Sequence, residues 1–221
     1  MQKKLSIQKN RRSFLLSGLA IAAALPLTGC PVLFVGGVAA GVMTAIDRRS
    51  TGAQVDDQAI EIRAKQDIAQ ALGNAAHVNV TSYNRQVLLT GEVPNANAKA
   101  QAEAIAMRVA NVRGVVNALA VGPVTTMGNR SNDSYLTGKV KTALADNKIV
   151  SASDIKVVTE RSVVYLMGIV TVQEAQVAGD VASSVIGVQK VVRVFEIISQ
   201  EDLARMQSSV EATPVDPTAR D

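Results

Sequence analysis

An internal repeat constrains this chain more than any other feature. Val87-Leu88-Leu89-Thr90-Gly91-Glu92-Val93 aligns with Val164-Tyr165-Leu166-Met167-Gly168-Ile169-Val170 at an offset of 77 residues. His77-Val78-Asn79-Val80-Thr81 falls on Asp154-Ile155-Lys156-Val157-Val158 at the same offset. Downstream, after a shift of one residue, Val112-Arg113-Gly114-Val115-Val116-Asn117 falls on Val188-Gln189-Lys190-Val191-Val192-Arg193. A register kept through most of each stretch means two copies of one supersecondary unit.

Each copy reads as α-β-β-α-β. A helix is expected over Ile60–Leu72 or Ser134–Ala145, then an alternating strand over Val78–Tyr83 or Ile155–Thr159. A turn at Asn84-Arg85 or Glu160-Arg161 leads to a second strand that ends near Gly91 or Gly168. The second helix carries the stripe Ala98, Ala102, Ile105, Val109, matched by Ala175, Gly179, Ala182, Ile186. Thr171 and Glu174 have capping-box spacing at its start in copy two. A last strand, Val115–Val121 or Val191–Ile198, closes the unit. The expected class is α+β, each copy a small three-stranded mixed sheet packed on two helices. Gly91 and Gly168 share one repeat position, which implies a positive φ or a close backbone approach rather than a ligand. A unit of about 65 residues is near the lower limit for folding alone.

The ends are of a different kind. Lys3, Lys4, Lys9, Arg11 and Arg12 precede an apolar stretch from Phe14 to Leu25, and Leu27-Thr28-Gly29-Cys30 follows. This is the pattern of a lipoprotein export signal. Small residues at positions 28 and 29 admit a peptidase, and the thiol of Cys30, the one cysteine of the chain, takes the lipid. Asn10-Arg11-Arg12-Ser13-Phe14-Leu15 also fits a twin-arginine signal, so both export routes stay open. Pro31 rather than Asp after the cysteine points to the outer membrane. Pro31–Ile46, interrupted by Gly36, Gly37 and Gly41, suits a surface-lying segment or a short helix better than a second span. The expected organisation is a signal at 1–29, lipidated cysteine and tether at 30–55, domains at 56–122 and 132–199, a linker at 123–131, and a disordered tail at 200–221.

The chain has 23 Lys and Arg against 19 Asp and Glu. The signal holds five of the positive charges and none of the negative, which leaves 18 against 19 and no case for nucleic-acid binding. Enzyme chemistry is poorly served too. His77 is the one histidine, and it aligns with Asp154, which suggests a replaceable surface position. No metal cluster or nucleophile motif is legible, and no cofactor is expected beyond the lipid on Cys30. The helix opening copy two carries a core stripe of Leu136, Val140, Ala143 and Leu144. Tyr135 and Lys139 share a neighbouring face, and Lys141 also lies off the stripe. An aromatic beside lysines suits anionic headgroups.

Val-x-Leu-x-Gly in the second strand, with Gly187-Val188-Gln189-Lys190-Val191 before the last, resembles the BON domain; copy one departs from the latter with Asn111-Val112-Arg113-Gly114-Val115. Two such copies behind a lipobox and Asp47-Arg48-Arg49-Ser50-Thr51-Gly52-Ala53-Gln54 resemble the DolP family of dual-BON outer-membrane lipoproteins. The resemblance implies a non-enzymatic, periplasm-facing protein that maintains envelope integrity. It implies anionic phospholipid bound through Tyr135, Leu136, Lys139 and Lys141, with Tyr135 where the family commonly has Trp. It further implies enrichment at division sites and support of the β-barrel assembly machinery. The alternative from the residues is a structural adaptor that binds a protein or itself and meets the membrane only through its acyl anchor.

Overall fold

A computed structural model describes residues 47–211. The export signal, Cys30, the apolar stretch that follows it, and residues 212–221 lie outside the described residues. Copy one comprises α1 (Thr51–Leu72), β1 (His77–Tyr83), β2 (Gln86–Val93), α2 (Ala96–Met107), β3 (Gly114–Asn117) and β4 (Ala120–Val121). Copy two comprises α3 (Met127–Ala145), β5 (Ile155–Glu160), β6 (Val163–Val170), α4 (Val172–Ser184) and β7 (Lys190–Ile197), followed by α5 (Gln200–Glu211). In each sheet the middle strand pairs antiparallel with the first and parallel with the last, so both sheets are mixed, as expected. In copy one the last strand is interrupted at Ala118-Leu119, and β3 and β4 both pair with β2.

One residue accounts for the register shift between the copies. β2 and β6 end at Val93 and Val170, 77 apart, whereas the N-caps of α2 and α4, Asn95 and Thr171, are 76 apart. Pro94 is the extra residue. The helix faces therefore match as Ala102 with Ala178 and Ala106 with Ala182, all fully buried. The expected pairing of Val109 with Ile186 is off by one. Ile186 lies beyond the end of α4 and is 86% exposed.

A buried carboxylate fixes the hairpin of each copy. Asn84, Arg85, Arg161 and Ser162 all have positive φ, which makes both connections tight two-residue turns of the kind hairpins favour. The Asp57 carboxylate, from α1, accepts hydrogen bonds from the N–H groups of Asn84 and Arg85 at 2.8 and 2.7 Å. Asp133, from α3, accepts from Arg161 and Ser162 at 2.9 and 2.8 Å. The second turn is thus Arg161-Ser162, not Glu160-Arg161; Glu160 ends β5 and is buried. At the strand glycines, a Cβ on Gly91 (φ +110°) would collide with His77 O, and one on Gly168 would lie 2.6 Å from Asp154 O. Gly168 needs only the close approach; Gly91 needs that and its positive φ.

The helices cover one face of each sheet, giving two cores: Ile60, Ile68, Val87 and Leu89 in one, Val140, Leu144, Val164 and Leu166 in the other. The opposite sheet faces meet in a third core of Tyr83, Leu88, Tyr165, Met167 and Ile169. Leu88 and Met167 are fully buried there, each contributing about 1.5–3 kcal/mol. The edges of this interface are related by a pseudo-twofold. Tyr83 of copy one donates its hydroxyl to Asp154 O of copy two at 3.2 Å. At the equivalent positions Glu160 of copy two approaches His77 of copy one, and Asn79 donates to Glu160 at 2.9 Å. His77 is therefore part of the interface edge rather than an open surface position, its side chain 24% exposed. It stands opposite the buried Glu92 in the strand register.

Three expected boundaries move. The stretch read as a tether is docked from Asp47 onward, and Ser50 caps α1 by accepting from Ala53 N at 3.1 Å. Thr126 caps α3, so helix begins inside the expected linker. Gly52 and Gly128 in those first turns lower helix propensity and hide both starts. The expected disordered tail is helical over Gln200–Glu211, because Ser199 accepts from Asp202 N at 3.1 Å and acidic residues occupy the positive end of the helix dipole.

The hairpin lock gives a direct expectation. Asp133→Ala leaves two turn amides without their acceptor and costs about 3 kcal/mol, read as a lower urea midpoint at unchanged slope.

Candidate membrane-contact site

Of the residues expected on the outer face of α3, the structure brings only Tyr135 and Lys139 together. Tyr135 is 65% exposed. Lys139, one helical turn on, places Nζ 5.6 Å from the Tyr135 ring centroid and donates to Ile186 O at 2.8 Å. Tyr135, Lys139, Ala143, Val185 and Ile186 border an open groove of about 710 Å³ between α3 and the α4–β7 connection. Leu136 does not reach it. It is buried at 2% and packs beneath Gly187, because it sits on the core stripe rather than the outer face. Lys141 is exposed but belongs to a separate groove with Arg49, Tyr83 and Lys156, since two residues along a helix turn it away from Lys139.

Ile186 is the residue that sequence reasoning missed. The offset slip at Pro94 put it in the core, where its apolar character looked natural. In the structure Lys139 holds its carbonyl and the side chain stands in solvent beside Tyr135.

Copy one carries the same groove with different chemistry. It lies between α1 and the segment after α2, bordered by Asp56, Ala59, Arg63, Asp67, Arg108 and Ala110. By the 76-residue offset of the helices, Ala59 replaces Tyr135, Arg63 replaces Lys139, Asp67 replaces Ala143 and Ala110 replaces Ile186. The apolar tips are gone and acids have entered. The two copies share a scaffold, and only copy two presents an aromatic and an aliphatic tip around a lysine.

The segment leading in from the N-terminal side is clamped across both copies. Arg49 bridges Asp47 at 2.7 Å and Asp57 at 2.8 Å, with its guanidinium 4.3 Å from the Tyr83 ring centroid. Burial and the nearby Asp47 charge push the Tyr83 phenol up to about 12. Arg48 donates to both oxygens of Glu174 at 2.7 and 2.9 Å and to Ile169 O at 2.9 Å, and lies 3.1 Å from Asp154. The two carboxylates respond differently. Burial would raise Glu174, but the bidentate Arg48 and the Thr171 N–H outweigh it and hold Glu174 below its ordinary value. Burial prevails at Asp154, which is raised despite Arg48 and has one oxygen without a hydrogen-bond partner among the described residues.

Both matched segments, residues 56–123 and 132–199, fit the model of the BON domain. The chain belongs to the BON-domain family. Outer membrane lipoprotein DolP of Haemophilus influenzae is 37% identical over 182 residues, covering 81% of this chain and 94% of that protein. A 21 kDa hemolysin of Actinobacillus pleuropneumoniae is 35% identical over 155 residues, covering 69% and 80%. Osmotically-inducible protein Y of Escherichia coli is 44% identical over 66 residues, 29% of this chain and 33% of that one. BON domains bind rather than catalyse, and this BON-domain chain is not an enzyme. No helix among the described residues is long and apolar enough to cross a membrane.

The Arg48 clamp has a testable pH signature. A carboxyl held low in the folded state contributes stability above its unfolded value and loses it as pH falls through the folded value. Arg48→Met therefore costs about 2 kcal/mol at neutral pH. The gap to the parent chain narrows as pH drops below the ordinary Glu value of 4.5, measured by urea unfolding across pH.

Proposed function

We propose that this chain is an outer-membrane lipoprotein, anchored through acyl chains on Cys30, whose second BON domain reads anionic phospholipid. The observation that carries the reading is the asymmetry between two equivalent grooves. Copy two surrounds its groove with Tyr135, Lys139 and Ile186, where copy one has Ala59, Arg63 and Ala110 with Asp56 and Asp67 alongside. A duplicated scaffold that exposes an aliphatic and an aromatic tip on one copy alone has one face suited to the boundary between headgroups and acyl chains. Lys139 sits between the tips and meets the headgroup charge, worth about 1 kcal/mol near an anionic surface.

The clamp at Arg48 and Arg49 supports this geometry. Only the 17 residues from Cys30 to Ile46 remain outside it, so the acyl anchor and the clamped domains are separated by at most ~60 Å. Tyr135 and Ile186 then meet the bilayer at high effective concentration, and modest affinity suffices. Relatedness to a protein named an outer membrane lipoprotein supports the location.

The test is vesicle co-sedimentation of residues 31–221, which lack the acylated cysteine. Sedimentation with anionic but not neutral liposomes is expected, weakened by salt. Lys139→Ala weakens it about fivefold, the pair Tyr135→Ala and Ile186→Ala at least tenfold, and Lys141→Ala has little effect. Protein that stays in the supernatant throughout, yet forms a concentration-dependent complex with itself or another protein, contradicts the reading in favour of the adaptor.

A further inference from the structure

The pseudo-twofold between the BON domains makes the two edges of their interface comparable residue by residue, and one edge lacks a cation that the other has. At one edge Arg48 lies against Asp154 and Glu174 and under Ile169 O. At the other edge the repeat places His77 where Asp154 stands, Glu92 where Ile169 stands, Glu160 where Tyr83 stands, and Val124 where Arg48 stands. Glu92 and Glu160 have entered this edge, while the counterparts of Arg48, Asp154 and Glu174 are Val124, His77 and Ala98.

Both carboxylates are withdrawn from water. Glu92 is fully buried; one oxygen lies 3.3 Å from His77 Nδ1 and from the N–H of Thr125, and the other has no hydrogen-bond partner among the described residues. Glu160 is 7% exposed, and one of its oxygens accepts from Asn79 Nδ2 at 2.9 Å. Burial, reinforced by the Glu92 charge, pushes Glu160 above its ordinary value. Arg130 borders the adjoining cavity of about 230 Å³, but makes no ion pair within 4.0 Å among the described residues. Two buried carboxylates with one imidazole are short of positive charge, and an unpartnered buried carboxylate oxygen is costly to leave so.

The donor atoms converge. One atom each from His77, Glu92 and Glu160 lies within 4.8 Å of the others. Ligands about 2.0–2.2 Å from a tetrahedral Zn²⁺ stand ~3.4 Å apart, so the set closes with small side-chain movements. Asn79 already orients Glu160, the kind of outer partner that metal ligands have. The cavity beside His77, with Thr137 and Thr159 on its wall, admits a water as fourth ligand and gives the ion a way in.

We propose that His77, Glu92 and Glu160 form a divalent-cation site of the imidazole–carboxylate class, of which Zn²⁺ is the representative ion, that ties the first BON domain to the second at the edge opposite Arg48. The ion there does what Arg48 does at the opposite edge. Because its ligands come from both domains, binding reports on their docking rather than on either domain alone.

The test uses the full chain in detergent micelles, stripped with chelator and titrated with Zn²⁺, with bound metal measured by equilibrium dialysis and elemental analysis. One Zn²⁺ per chain is expected, together with a rise of several degrees in Tm. His77→Gln and Glu160→Gln weaken binding at least tenfold. Both keep their metal-free Tm close to that of the parent chain, and so remain folded for the comparison. Co²⁺ in place of Zn²⁺ gives an absorption spectrum of nitrogen and oxygen ligation. Failure to retain Zn²⁺ overturns the proposal. Retention that survives both substitutions also overturns it, since the ion is then held elsewhere. Neither result bears on vesicle binding, which involves a different face.

Discussion

Everything described depends on the packing of two sheet faces against each other. A BON unit of this size buries one sheet face under its two helices and leaves the other apolar. Leu88 in copy one and Met167 in copy two are on those second faces and fully buried, with Tyr83, Tyr165 and Ile169 around them. Neither copy can satisfy its middle strand alone. Docking sheet to sheet resolves this for both at once and makes a duplicated small domain one body. The edges of the contact then become sites, since polar groups there are withdrawn from water without being in the core. Arg48 with Asp154 and Glu174 is one such edge, and His77 with Glu92 and Glu160 is the other.

Duplication also separates what the two copies share from what they do not. Features that hold the unit together repeat: the carboxylates of Asp57 and Asp133 on their hairpin amides, and the alanine faces of α2 and α4. Features at the exposed groove and at the edges between the copies do not. Tyr135 and Ile186 have alanines as counterparts, and Arg48 has a valine. Positions that differ between copies of one scaffold are not dictated by the BON unit itself, so their chemistry is more informative than that of the shared positions.

Much of this was legible in the sequence. The offset repeat, its α-β-β-α-β order and the resemblance to BON domains led to the correct fold, and the Thr171–Glu174 capping box forms as its spacing implies. The third core was legible too, though unread. Val87-Leu88-Leu89 and Val164-Tyr165-Leu166-Met167 are continuous apolar runs rather than alternating ones, the mark of strands buried on both faces. Pro94 was harder, because one inserted residue between strand and helix leaves both patterns intact while sliding Ile186 from surface to core. The pairing of His77 with Glu160 was out of reach. It arises only from how the domains dock, and no local pattern encodes a contact across 83 residues. Leu136 and Lys141 lie away from the Tyr135–Lys139 groove for a simpler reason: residues one or two apart on a helix do not share a face.

The most direct test of the shared core reads one copy after a change in the other. Native-state hydrogen exchange of the Leu88→Ala chain, resolved to individual amides, follows β5 and β6 after a substitution confined to β2. If the sheets stabilise each other, amides of β5–β6 lose protection together with those of β1–β2. If β5–β6 protection stays at its parent value while β1–β2 opens, the BON domains fold independently and the central claim is wrong.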